Sequence, residues 1–122
     1  MKIKKMIWVT FQKAGYHYYT EAATNPNLKD VEYLQHRHRH LFKFRVQIEV
    51  FHNDRDLEFI MVKEYCESLF NGKLDINGNS VEMLADTLYA NLAEKYPNRD
   101  MTIEVSEDGE NGCIIEYNLP KQ

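Results

Sequence analysis

Three of the five histidines in this 122-residue chain fall in one run, His36-Arg37-His38-Arg39-His40, which leads straight into Leu41-Phe42-Lys43-Phe44-Arg45-Val46-Gln47-Ile48-Glu49-Val50. On an extended backbone every second side chain points the same way. His36, His38 and His40 would then share a face with Phe42, Phe44, Val46, Ile48 and Val50, and Arg37, Arg39, Lys43 and Arg45 would share the other. Neutral imidazole is a ligand for zinc, and two histidines at i and i+2 on a strand can reach one ion. Zinc takes three or four ligands, so the strand supplies part of a set at most. The same run reads equally as a solvated basic segment entering an ordinary strand. Arg37, Arg39, Lys43 and Arg45 suit phosphate neutralisation or a solvated strand face. Tyr16, Tyr18, Tyr19 and Tyr33 suit stacking on a planar ring, or a core or subunit interface.

The elements that must hold these groups follow from periodicity. Residues 3–13 read as a strand, with Ile3, Ile7, Val9 and Phe11 on one parity. Gly15, inside an aromatic run, suggests a bulge or a close backbone approach. Residues 20–30 read as a loop with Asn25-Pro26-Asn27 as its turn, and a long strand covers 38–51. Asp56 to Phe70 reads as a helix burying Phe59, Val62, Cys66, Leu69 and Phe70, stopped at Asn71-Gly72. Residues 74–79 read as a connector. A second helix runs from about Ser80 to Tyr96 on Val81, Leu84, Ala85, Leu88, Leu92 and Tyr96, with Asn79 as its cap, Glu82 as the reciprocal capping residue, and Pro97 as its end. Strands at 101–105 and 113–119 flank a turn at 108–112. The expected fold is α+β: a ββααββ order giving a four-stranded antiparallel sheet with two helices on one face. The other face and both sheet edges stay open, and oligomerisation is one way to close them.

Composition sets the outer limits. Hydrophobic residues make up 43% of the chain, which argues against disorder, and the length fits one domain, residues 1–122. A net charge of −4 does not suggest a binder of nucleic-acid polymers. The two cysteines, Cys66 and Cys113, form no CxxC pair or disulfide framework. With no signal-peptide pattern and no membrane-length apolar run, a cytoplasmic protein is expected.

At this point the chain resembles the 6-pyruvoyltetrahydropterin synthase and 6-carboxytetrahydropterin synthase family, whose members share the tunnelling fold. Four stretches carry the resemblance. Phe11-Gln12-Lys13-Ala14 looks like the start of the family's first motif, an aromatic strand ending in a zinc-binding histidine. His38-Arg39-His40-Leu41-Phe42 looks like its HGH-plus-aromatic motif, Asn79-Ser80-Val81-Glu82 like its PTSE-like helix start, and Val105-Ser106-Glu107 with Gly112-Cys113 like its VxE motif and following Gly-Cys pair. The resemblance implies zinc held by His38, His40 and a third histidine. Gly15 stands at the family's first zinc position, and His17, on the same parity, takes its place if Gly15 makes a bulge. It also implies that Glu107 anchors a pterin ring, which a carboxylate does by accepting two parallel hydrogen bonds. It implies a trimer or a hexamer, with strands closing into a barrel around a tunnel.

The departures concern catalysis. The family's catalytic cysteine position is Leu34 here. The segment corresponding to its Asp-His pair, Leu69 to Asp75, holds no histidine, and none follows His52. The thiol and its proton relay are therefore missing, and no catalytic residue is assigned. The expected function is non-catalytic binding or sequestration of a phosphorylated purine- or pterin-type molecule, such as a nucleotide or cyclic nucleotide. Glu107, Arg37, Arg39, Tyr16 and Tyr18 are the expected ligand contacts. The alternative is a divergent zinc-dependent lyase of that family acting on dihydroneopterin triphosphate.

Overall fold

The computed structural model describes residues 1–17, 23–35, 38–70, 74–75 and 79–120. Its elements are β1 (Lys5–His17), a 3-10 helix (Pro26–Gln35), β2 (His38–Val50), α1 (Phe59–Ser68), β3 (Leu74–Asp75), α2 (Val81–Lys95), β4 (Met101–Glu107) and β5 (Asn111–Tyr117). The sheet order is β3-β1-β2-β4-β5. The expected four-stranded antiparallel sheet is there in β1, β2, β4 and β5, with a two-residue parallel strand added at one side.

The alternation in β2 does what its spacing requires. Phe42, Phe44, Val46, Ile48 and Val50 are buried, as are Val9 and Phe11 of β1 and Met101, Ile103 and Val105 of β4. The two helices cover this face. Val62 and Cys66 of α1, and Leu84, Ala85, Leu88 and Leu92 of α2, fill the same core. Phe11 and Phe44 stack at 4.5 Å between ring centroids, and Phe70, just beyond α1, packs on both at 6.1 and 5.3 Å. The opposite face is uncovered by any described element. There Trp8 is 53% and Ile114 67% exposed, and the Arg45 guanidinium lies 4.2 Å from the Trp8 ring.

Several expectations are corrected. β1 continues to His17, and its pairing with β2 is unbroken from Lys5 opposite Val50 to His17 opposite His38, so Gly15 makes no bulge. β3 lies alongside Gly15 and Tyr16, so the backbone there has a strand on both sides, which holds it regular. The expected connector thus contributes strand β3. The Asn25 turn forms, with its side-chain oxygen accepting from Asn27 N–H at 2.9 Å, but it opens a 3-10 helix in place of a longer loop.

α1 begins at Phe59 with Glu58 as its cap. Asp56 is turned away to accept hydrogen bonds from Phe51 N–H and Arg99, both at 2.9 Å. Phe59 is 58% exposed and is no core residue. Ser80, not Asn79, caps α2 by accepting from Met83 N–H. This leaves Glu82 one position short of a reciprocal cap, within the acidic first turn that the helix dipole favours. The stop at Asn71-Gly72 lies outside the described residues. No described helix is long and apolar enough to cross a membrane.

Candidate ligand site at the turn end of the sheet

The β4–β5 turn decides which side chains meet at this end. Asp108 (φ 60°) and Gly109 (φ 73°) are both left-handed, the conformation an Asp-Gly hairpin turn needs. Beyond it β5 comes very close to β4. A Cβ on Gly112 would run into the Val105 carbonyl oxygen and lie 2.6 Å from Ser106 Cα, so only glycine fits. Folding back this tightly brings Glu107 and Asp108 beside the start of β2, where Glu107 stands opposite Phe42. Asp108 then joins β2 through its backbone: its N–H donates to the Leu41 carbonyl at 2.7 Å, and its Oδ1 accepts from Leu41 N–H at 2.8 Å.

His40 sits between the two carboxylates. Its Nδ1 is 2.7 Å from Asp108 Oδ2, and its Nε2 is 3.0 Å from Glu107 Oε2. The hydrogen bond from His40, and then that from Leu41 N–H, hold the Asp108 carboxyl below its usual range. An ionised Asp108 has no proton to give, so Nδ1 carries the hydrogen and donates. Nε2 is buried. The His40 and Glu107 side chains are one-fifth exposed, which leaves the pair recessed but reachable.

The other expected site residues divide. The register sets His17 opposite His38 and Gly15 opposite His40, so all three histidine positions fall on the parity of the helix-covered face, next to one another and with no bulge. Arg39 is exposed and stands opposite Tyr16, on the other parity. The sheet therefore does not bring Arg39 together with Glu107 within one chain; the Tyr16 side chain lies outside what is described. Arg37 and Tyr18 lie outside the described residues, as do His36 and Tyr19.

A groove of about 580 Å³ is lined by Thr10, Gln12, Lys43, Arg45 and Ser106 of the sheet, by Phe11 and Phe44, and by Lys63 and Glu67 of α1, and Arg45 is paired with Glu104 at 3.4 Å. The cysteines are separate from the site. Burial pushes the Cys66 thiol up to about 12, which keeps it an inert core group.

No family model and no curated protein matches this chain. The residue that sequence reasoning missed is Asp108. It stood out only as part of a turn, and its contact with His40 spans 68 positions. The available signal was the Asp-Gly pair, which predicts a tight hairpin and so a carboxylate turned back toward the strand preceding it in the sheet.

Proposed function

We propose that this chain binds a phosphorylated purine- or pterin-type molecule and holds it without converting it, with Glu107 as the anchor of the planar ring. One observation supports this most: the Glu107 carboxylate ends β4 in a recess, with one oxygen beside His40 Nε2. An ionised carboxylate so placed can accept two parallel hydrogen bonds from the N–H and amino edge of a guanine or pterin ring. Arg39 takes part only if a second copy of the chain carries it round to this side. That agrees with assembly into a trimer or a hexamer through the open sheet edges. Among the described residues no group of three or more ligands is gathered for a metal; His40 alone, tied to a carboxylate through one nitrogen and buried at the other, has the arrangement of a ligating histidine. The bulge that would bring His17 to the first zinc position is not formed, so His38 would be the second imidazole, with the third ligand left open, and the metal would polarise a ligand oxygen.

A second reading, a divergent zinc-dependent lyase acting on dihydroneopterin triphosphate, draws on the Asp108–His40 pair. A carboxylate that fixes an imidazole is the geometry of a general base, and it would stand in for the missing relay. The two readings separate in one experiment. Purified protein is incubated with dihydroneopterin triphosphate, guanine and adenine nucleotides and cyclic dinucleotides, washed and denatured, and the released molecules are read by mass spectrometry. Binding without turnover yields one molecule unchanged from wild type and none from Glu107→Ala. A converted pterin establishes the lyase, and no recovered molecule sinks both readings.

A further inference from the structure

We infer that Asp108 is a positioning residue, one that fixes the ring orientation and tautomer of His40 so that Nε2 is presented beside Glu107 as the metal-binding nitrogen. The metal part rests on the reading given under Proposed function; the positioning part does not. Three observations carry it. Asp108 grips His40 Nδ1 at 2.7 Å while its other oxygen and its own N–H are both bonded to Leu41, the next residue of the same strand. The carboxylate is thus locked to the backbone beside the ring it holds, and cannot swing away without breaking the pairing of the turn. Next, Asp108 adopts φ 60°, a conformation that asparagine and aspartate tolerate better than other residues with side chains. The position therefore suits a short side chain with a carboxylate or amide end. Finally, His40 Nε2 is buried and faces Glu107, so the ring is held by a carboxylate on the side away from the place a metal would take. Carboxylates in this outer position fix the tautomer and raise the basicity of a ligating imidazole.

Asp108→Asn isolates the role. Asparagine keeps the left-handed backbone, and its side-chain oxygen can still accept from Leu41 N–H. Its amide offers His40 Nδ1 a donor in place of an acceptor, which favours the opposite tautomer. Long-range ¹H–¹⁵N correlation spectra of the full chain, with the His40 ring signals assigned against His40→Gln, read the tautomer directly. The wild type is expected to carry hydrogen on Nδ1, and Asp108→Asn is expected to lose that preference. Zinc affinity, measured by competition with a chromophoric chelator, is expected to fall by about 10- to 100-fold. An unchanged tautomer in a folded Asp108→Asn variant overturns the inference and leaves Asp108 a turn residue. A wild type that binds no zinc but shows the tautomer change refutes the metal reading and upholds the positioning role.

Discussion

His40 is the residue at which most of the site's chemistry meets, and its two carboxylate partners differ in kind. Glu107 belongs to a strand, while Asp108 belongs to a left-handed turn. Asp108 contacts the ring and the strand backbone with the same carboxylate, so it links the site to folding. Its carboxyl is held below the ordinary value of 3.8. A group with a depressed folded value contributes stability that is fully present above its unfolded value and is lost as the pH falls through its folded one. Asp108→Asn has nothing to ionise there. At neutral pH the variant is expected to be less stable than wild type, and the gap should narrow on acidification below about pH 4. Urea melts followed by circular dichroism at stepped pH values measure it. A gap that stays constant down to pH 2 would show that the Asp108 charge contributes nothing to folding.

At the scale of elements, the hairpin of β4 and β5 positions the site, and its tightness depends on Gly112. A side chain there would collide with the backbone of Val105 and Ser106, groups that cannot give way as a flexible side chain would. Gly112→Ala is expected to destabilise the fold by about 1–3 kcal/mol, the usual cost of overpacking. It should also disturb His40, because Glu107 and Asp108 directly precede the displaced pairing. Thermal melts together with the His40 ring signals test both parts, and an unchanged melting temperature would mean that the strands separate without cost.

The same elements show what could be read from the chain alone. The strand of residues 38–50 and the stripe of Val81, Leu84, Leu88 and Leu92 were legible because their periodicity is local and each buries a single face. His40 drew attention through its place at the head of that strand, and Glu107 through the family resemblance alone. β3 was not legible, since two residues carry no period and pair only with a strand 59 positions away. The regular backbone at Gly15 was missed for the same reason. Glycine reads locally as an interruption, while the strands on either side override that preference. The choice of Ser80 over Asn79 as cap turned on a one-residue shift that both side chains would have allowed.

For the whole molecule, the open questions lie on the surfaces that the two helices do not cover. One sheet face exposes Trp8 and Ile114. Among the described residues β5 has no strand on its outer side, and β1 is flanked there only at Gly15 and Tyr16. A seven-residue edge with an exposed isoleucine is a surface that proteins usually shield or pair. The strands β1, β2, β4 and β5 alternate in direction, so the outer edge of β5 can meet the outer edge of β1 from another copy in the antiparallel sense. That contact is head-to-tail, and such contacts close only as rings. The proposed trimer or hexamer would therefore sediment at three or six times the 14.5 kDa chain mass. Ile114→Lys adds a charge at a position already 67% exposed in the single chain. It is expected to leave the circular dichroism spectrum of the subunit intact while shifting the sedimenting species toward the monomer. Sedimentation velocity on wild type and variant decides the matter: a wild type that runs as a 14.5 kDa monomer at all concentrations would rule out the barrel. In that case Arg39 has no route to Glu107, and the ligand would have to be recognised from the helix-covered side of one chain alone.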